Sequence, residues 1–162
     1  MQKLFESANF TKRYRIDPDH SFNLERKNSG IKVAIDSHTK SYVVVRLIPK
    51  EKVQYQPNIR DIVRNEIEKL MNTNCENVVK VIDYQEIEYN LLIIMEYCNE
   101  GNLGSYLHAK SGGNLSEQEA ILFFKQILRG WKTIHEQGLS FRLLNFENIL
   151  IHIGSIKLCD IG

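Results

Sequence analysis

With 162 residues, 43% of them apolar and 25% charged, the chain has the composition of one ordinary globular domain. Its 21 basic and 20 acidic side chains leave a formal charge of +1, which argues against nucleic-acid and membrane-surface partners. The apolar runs are too short to span a bilayer, and the first residues lack the apolar core of a signal peptide. We therefore expect an intracellular protein, cytoplasmic or cytoskeleton-associated, with no nucleic-acid and no membrane partner.

The first part of the chain has the pattern of a small β-sheet with one inserted helix. Residues 1–20 lack periodicity and predict an irregular lead-in, with a short strand near Tyr14 left open. β-type segments predict strands at 22–27, 31–35, 42–48, 78–84 and 90–96, the last two joined by a turn over 85–90. Apolar residues at three- and four-residue spacings predict a helix over about residues 57–73.

The second part of the chain is mainly helical up to about residue 137. A short helix is predicted over 103–110, and Ser116 with Glu119 forms a capping box that begins a long helix over 116–137. Gly138 ends this helix. Two short apolar segments on either side of a glycine, at 149–152 and 156–159, then predict a β-hairpin.

The long predicted helix has apolar side chains on more than one face, since Phe123 and Phe124 are adjacent. Left uncovered, it would expose a large apolar patch. We therefore expect protein to cover this face, supplied by a partner chain, an assembly surface or a continuation of the polypeptide. Trp131 is expected to belong to the core.

Residues 141–148 read Phe-Arg-Leu-Leu-Asn-Phe-Glu-Asn, and the chain ends on Asp160-Ile161-Gly162 after the predicted hairpin. The stretch from 135 to 162 thereby resembles the catalytic loop of a protein kinase, where the family has His-Arg-Asp-Leu-x-x-x-Asn and then Asp-Phe-Gly. Upstream, Val43-Val44-Val45-Arg46 resembles Val-Ala-Ile-Lys, and Glu66 follows in the predicted helix. The resemblance covers about residues 20–162.

This resemblance implies an α+β, protein kinase-like fold that is truncated after the Asp-Phe-Gly-type motif. After the lead-in of residues 1–20, residues 21–96 would form an N-lobe with a five-stranded antiparallel sheet and the helix that the family calls αC. Residues 97–162 would form the first, mainly helical part of a C-lobe.

The residues that act on a substrate in the kinase family are replaced in this chain. Leu143 stands for the Asp that accepts the hydroxyl proton, and Asn145 stands for the Lys that steadies the transferring phosphate. A leucine can neither accept a proton nor orient a hydroxyl. No residue of this chain is therefore expected to be catalytic.

The glycine-rich loop that covers the phosphates in the family is also lost. Its three glycine positions correspond to Arg26, Asn28 and Ile31, and Gly30 is one residue out of register. Side chains at these positions would obstruct a close approach of the backbone to phosphate. An ordinary hairpin turn is the favoured interpretation.

Four positions correspond to nucleotide-binding residues of the family: Arg46, Glu66, Glu96 and Cys98. Arg46 replaces the phosphate-binding Lys, and a planar guanidinium tends to pair with a carboxylate. We expect Arg46 to pair with Glu66 and to fasten the helix to the sheet.

The two magnesium-ligand positions, Asn148 and Asp160, keep their residue types. They leave weak binding of ATP and Mg²⁺ open, although the interpretation requires no cofactor. The alternative is a local role, with Asn148 bonding the loop backbone and Asp160 capping a turn.

Four positions correspond to the regulatory spine of the family, and all are apolar: Leu70, Val81, Phe141 and Ile161. The chain thus keeps packing residues while it loses reactive ones. The favoured hypothesis is a pseudokinase that serves as a scaffold or interaction subunit in a larger intracellular assembly. A protein Ser/Thr kinase and an ATP sensor without transfer remain as alternatives.

Overall fold

The computed structural model describes residues 8–18, 30–49, 59–87, 90–139 and 143–159. The elements in chain order are α1 (Ala8–Arg13), β1 (Tyr14–Ile16), β2 (Ile31–Asp36), β3 (Tyr42–Pro49), α2 (Ile59–Asn72), β4 (Val81–Ile87), β5 (Asn90–Glu96), α3 (Leu103–Ala109), α4 (Glu117–Glu136), β6 (Ile149–His152) and β7 (Ser155–Leu158). They belong to two units, one with residues up to 71 and 81–97, the other with 72–80 and residues from 98 onward.

The first unit contains a five-stranded antiparallel sheet with the order β1-β2-β3-β5-β4. The β-branched run of β3 places it between β2 and β5, where Val44 pairs with Val33 on one side and with Met95 on the other. The prediction of a five-stranded antiparallel sheet is confirmed. The predicted strand at 22–27 lies outside the described residues.

Of residues 1–20, for which the sequence predicts an irregular lead-in, the structure describes 8–18. These form α1 and β1, and β1 is the short strand near Tyr14 that the sequence left open. Phe10 and Tyr14 are each 1% exposed, and their ring centroids are 5.4 Å apart. They pack in one cluster with Ala34, Val43, Val45, Leu92 and Ile94 of the sheet. A helix of six residues is too short to show a period, so the buried Phe10 of α1 was not predictable from the sequence.

A polar cluster fixes α1 to the strands. Arg13 donates from Nη2 to Asp36 Oδ2 at 2.9 Å and from Nε to the same carboxylate at 3.2 Å. The hydroxyl of Tyr14 donates to Asp83 at 3.1 Å. Asp36 is only 1% exposed, and the hydrogen bonds from Arg13 hold the pKa of that carboxyl below its usual range.

Strand β4 begins three residues later than predicted. Val78 bridges to Leu158, and Val79 donates its amide to the Leu158 carbonyl at 2.9 Å, so both belong to the second unit. The predicted turn over 85–90 is likewise too long, because β4 continues to Ile87 and β5 begins at Asn90. Apolar patterning could not distinguish pairing with β7 from pairing within the sheet.

Helix α2 was predicted over about 57–73, and its described residues run from 59 to 72. Ile67 is buried in the first unit. Polar contacts connect α2 to β4: Arg64 reaches Glu86 at 2.7 Å, and Tyr84 donates to Glu68 at 3.3 Å. Neither contact is predictable from local sequence, because each joins residues that are distant along the chain.

In the second unit, both predicted ends of α4 are confirmed. Ser116 is the N-cap, and the reciprocal bonds of the capping box with Glu119 are both present. At the other end Gly138 has φ of +67°, its amide bonds the carbonyl of His135, and the Leu139 amide bonds that of Ile134. This is a Schellman motif, which needs the glycine because its backbone is left-handed.

The start of α4 should be sensitive to acid. Hydrogen bonds from Lys110 and Ser116 lower the pKa of Glu119 from 4.5 to about 2. The folded pKa lies below the unfolded one, so this stabilisation is complete above about pH 4.5 and is lost as the pH falls toward 2. In urea titrations at a series of pH values, Glu119→Gln should lower the midpoint at neutral pH and converge with the parent in acid. A pH-independent gap between Glu119→Gln and the parent would contradict the prediction.

Strands β6 and β7 form the predicted hairpin, and residues 99–102 extend it. Glu100 donates its amide to the Ile151 carbonyl at 3.1 Å, and Ile151 donates to the Gly101 carbonyl at 2.9 Å. The Asn99 side chain accepts from the Ile153 amide at 3.2 Å. No periodic pattern predicts this third segment, because it pairs for only a few residues.

The hairpin turn carries a residue that its backbone disfavours. Ile153 has φ of +50° and is 76% exposed, and the next residue, Gly154, has φ of +70°. Asn-Gly suits two successive left-handed positions, whereas a β-branched residue is strained there. Ile153→Asn should therefore raise the free energy of unfolding by about 1 kcal/mol, measured by urea denaturation. Ile153→Val keeps the branch and should give no gain; equal effects of the two substitutions would contradict the prediction.

Candidate functional site

The loop from Leu143 to Asn148 has a defined hydrogen-bonded structure. The Asn148 side chain donates from Nδ2 to the Leu143 carbonyl at 2.8 Å. The Asn148 amide is 2.9 Å from the Asn145 side-chain oxygen and 3.1 Å from the Asn145 carbonyl. Cys159, which follows β7, donates its amide to the Asn148 carbonyl at 2.9 Å. The loop is thereby fixed against the end of the hairpin.

This fixed loop presents apolar side chains to solvent. Leu143, at the position of the proton acceptor, is 59% exposed, Leu144 is 52% exposed and Phe146 is 57% exposed. Asn145, which stands for the phosphate-steadying Lys, is half-buried. Its side-chain oxygen accepts a hydrogen bond from the Asn148 amide. Leu143 and Asn145 therefore lie in one short loop, but neither side chain is an acid, a base or a cation.

Of the two predicted metal positions, the structure describes Asn148. Its Nδ2 donates to the loop backbone, which is the local role considered above, and its Oδ1 is the atom that a cation would use. Asp160 lies outside the described residues. Within the described ranges, no cluster of three or more His, Cys, Asp or Glu side chains is placed to hold a metal ion.

The predicted nucleotide positions are divided between the two units. Arg46, Glu66 and Glu96 belong to the first unit and are all half-buried, whereas Cys98 belongs to the second and is buried. Arg46 pairs with Ile31 and with Ile93 across the sheet, which places it in a central strand. The pairing of Arg46 with Glu66 stays a prediction, as does a role in nucleotide binding.

The conformation of Gly30 follows from the close passage of β3. Its φ is +66°, its carbonyl accepts from the Leu47 amide at 2.7 Å, and a Cβ there would lie 2.9 Å from the Leu47 oxygen. Gly30 is thus needed by the sheet itself. Ile31 begins β2, while Arg26 and Asn28 lie outside the described residues.

The predicted spine can be followed only in part. Leu70 and Val81 are 8% and 1% exposed in the first unit. Phe141 and Ile161 lie outside the described residues, so the spine as a whole stays a prediction.

Helix α4 buries one face and exposes another. The buried face presents Phe123, Gly130 and Ile134. The exposed apolar residues, with 45–59% of their surface accessible, are Ile121, Leu122, Phe124, Leu128 and Trp131. The expected apolar exposure is present, but the prediction of a core Trp131 is wrong. Its ring is 45% exposed and stacks on His135 with centroids 5.3 Å apart.

Residues 27–162 match the family described as protein kinase domain. With the loop and the sheet described above, this shows that the chain belongs to the protein kinase domain family. The crystal structure of Rad53 1-466 in complex with AMP-PNP is similar to this chain with a TM-score of 0.78 and 27% identity, covering 94% of this chain and 39% of that one. The resemblance to a kinase and the α+β kinase-like fold are therefore confirmed.

Among curated relatives, sperm motility kinase 2B of Mus musculus is 33% identical over 134 residues, 81% of this chain and 26% of that protein. Serine/threonine-protein kinase ULK1 of Homo sapiens is 40% identical over 86 residues, 53% of this chain and 8% of that protein. The chain thus spans about a quarter or less of the length of these relatives. No helix in the described part of the chain has the length and apolar character needed to cross a membrane.

Proposed function

We propose that this protein kinase-family chain does not transfer phosphate and acts as an interaction module in a larger intracellular assembly. The observation that carries the proposal is the catalytic-type loop. Its backbone is held by Asn148, yet the side chain at the proton acceptor's position is that of Leu143. A loop that keeps its hydrogen bonds and loses its reactive group supports a role in which the folded domain binds other molecules without catalysing a reaction.

The partner is proposed to be protein that covers the exposed apolar face of α4. Five large apolar residues on one helix, each close to half exposed, exceed the scattered exposure that single surface residues show. Association would remove this surface from water. Nucleotide is not required for this role, and ATP with Mg²⁺ is left as a weak ligand at most.

The alternative is ATP-dependent phosphoryl transfer by a protein Ser/Thr kinase. The names of the relatives favour it, since they are kinases, and the retained residue types of Asn148 and Asp160 are compatible with a magnesium site. ATP binding without transfer is the intermediate case.

Phosphate transfer from Mg²⁺-ATP to the chain itself and to a basic protein substrate tests the proposal. We expect no incorporation above that of Asp160→Ala, which serves as the control for contaminating kinases. Incorporation that Asp160→Ala abolishes would overturn the proposal and support the kinase alternative. Leu143→Asp, which restores the carboxylate, measures whether the loop is the single obstacle.

A thermal-shift titration with Mg²⁺-ATP separates the remaining cases. A ligand that binds only the folded chain must raise its midpoint. We expect no rise for the interaction module. A saturable rise without phosphate transfer would assign the chain to the ATP-sensor class instead.

A further inference from the structure

A hydrogen bond connects the two edge strands of the five-stranded sheet. β1 and β4 stand at opposite ends of the strand order, yet the Tyr14 hydroxyl donates to Asp83 at 3.1 Å. In a flat sheet, four strand spacings would separate β1 from β4 by roughly 19 Å, which is farther than a tyrosine side chain reaches. The sheet must therefore curl, and the face inside the curl forms a groove.

This groove has an apolar floor and an acidic rim. Its floor consists of buried side chains that share one face of the sheet, because they occupy alternate or directly paired positions: Ala34, Val43, Val45, Leu92 and Ile94. Asp36 follows Ala34 by two residues, and Asp83 pairs with Ile94, so both carboxylates belong to the same face. We call these seven residues the sheet groove.

The sheet groove is occupied by residues 8–14 of the chain itself, which we call the α1 segment. Phe10 and Tyr14 are four positions apart, are each 1% exposed and pack on the floor. Arg13 reaches both carboxylates, at 2.9 Å for Asp36 and 3.9 Å for Asp83. The floor thus takes two aromatic rings, and the rim takes a guanidinium and a hydroxyl. The occupant shows which side chains fit the groove.

The occupying segment is short. Helix α1 has six residues, and β1 pairs with β2 through three. Both precede residues 27–162, the part of the chain that matches the protein kinase domain family. A short element at the margin of a domain opens at a lower free energy than the whole domain unfolds. Its opening would uncover the sheet groove while the ladders between β2, β3, β5 and β4 stay paired.

We propose that the α1 segment is an exchangeable occupant and that the sheet groove docks a helix of another protein that carries the same side chains. These are two aromatic residues four positions apart and an arginine directly before the second. The inference rests on the proposed interaction role and adds a docking site in the first unit. The rings supply the buried area, and the arginine fixes the register against Asp36 and Asp83. The α1 segment regulates access, because a partner must displace it.

A fluorescein-labelled peptide with the sequence of residues 8–17, titrated with the complete chain, tests this competition by fluorescence anisotropy. The apparent affinity is reduced by the fraction of molecules whose groove is open, so a weaker internal occupant should strengthen binding of the peptide. We expect about fivefold tighter binding by the Tyr14→Phe chain, which loses the bond to Asp83. The Arg13→Met chain, which loses the bonds to Asp36, should bind at least about tenfold more tightly than the parent.

Matched controls separate recognition by the groove from unspecific binding to a destabilised chain. The Phe10→Ala peptide and the Arg13→Glu peptide should each bind the Arg13→Met chain at least about tenfold more weakly than the unchanged peptide. The Lys12→Ala chain should bind like the parent, because Lys12 is exposed. Tyr14→Phe keeps the buried ring, so it provides the competition test even if circular dichroism shows that Arg13→Met does not fold.

Three results would overturn the inference: equal affinity of the parent and the weakened chains, equal affinity of the unchanged and Phe10→Ala peptides, or no binding to any folded chain. A dimer of the parent that Phe10→Ala in the chain dissociates in sedimentation equilibrium would assign the groove to a second copy instead of another protein. The assay contains no nucleotide, so a failure here is distinct from a failure of the phosphate-transfer test.

Discussion

Arg13→Met should lower the free energy of unfolding by about 3 kcal/mol. The substitution keeps an unbranched stem of four heavy atoms but removes the guanidinium and its bonds at 2.9 and 3.2 Å to Asp36, whose side chain is 1% exposed. Among the residues that the structure describes, the His38 amide, at 2.9 Å, would then be the one donor left to the buried carboxylate. Urea denaturation at neutral pH measures the loss.

The pH dependence of this effect has a definite sign. In the parent, Arg13 holds the pKa of Asp36 below its unfolded value, so the stabilisation is present at neutral pH and is lost as the solution becomes acidic. In Arg13→Met, burial raises that pKa, so the variant should lose less than the parent on acidification. The difference between the two proteins should therefore shrink at low pH.

A double substitution serves as the control for the Arg13 prediction. Arg13→Met combined with Asp36→Leu removes both charges and should recover most of the loss, because a buried pair is costly mainly when one partner is left alone. Lys12→Ala, at an exposed neighbour, should change the stability by less than about 0.5 kcal/mol. A double variant as unstable as Arg13→Met would show that the loss does not come from leaving the Asp36 carboxylate buried without Arg13.

Gly130→Ala should destabilise the second unit by about 1–3 kcal/mol, although alanine is the better helix former by about 1 kcal/mol. A Cβ at this position would lie 2.5 Å from the Asn77 carbonyl oxygen and 3.0 Å from Leu158 Cδ1. That oxygen accepts from the Leu158 amide at 2.9 Å, and the Asn77 side chain donates to the Ile156 carbonyl at 2.9 Å. Asn77 is therefore held through both its carbonyl oxygen and its side chain. Its backbone cannot move away from a Cβ at position 130 without breaking these hydrogen bonds.

Trp131 follows Gly130 directly in α4, so its fluorescence emission during urea denaturation measures the change in stability caused by Gly130→Ala. Lys132→Ala changes an exposed residue in the same turn and should be nearly neutral. A stabilising Gly130→Ala would mean that helix propensity outweighs the contact, and it would contradict the close approach of α4 to Asn77.

Local chemistry made some features predictable. The ends of α4 follow from Ser116, Glu119 and Gly138, because capping bonds form between residues only a few positions apart. The order of strands and helices, together with the catalytic-loop pattern, was sufficient to identify the family. The substitution at Leu143 is likewise visible in the sequence alone.

Long-range contacts could not be predicted in the same way. Tyr14 and Asp83 are 69 positions apart, and Asn77 and Ile156 are 79 apart, so no window of the sequence contains either pair. The exposure of Trp131 also depends on which side of α4 is covered. Patterning shows that a residue is apolar but does not show whether another element reaches it.

The sequence by itself therefore determined the family, the loss of the reactive side chains and the ends of the long helix, since each depends on residue type at short spacing. Only the tertiary structure decided that residues 8–13 form a helix packed on the sheet, that residues 14–16 join the sheet as β1, and that Val78 and Val79 pair with β7. It also decided that Ile121, Phe124, Leu128 and Trp131 lie on an exposed side of α4 in the described residues. The physical reason is that burial and strand pairing are properties of distant segments brought together, and their free energy exists only once the chain has folded.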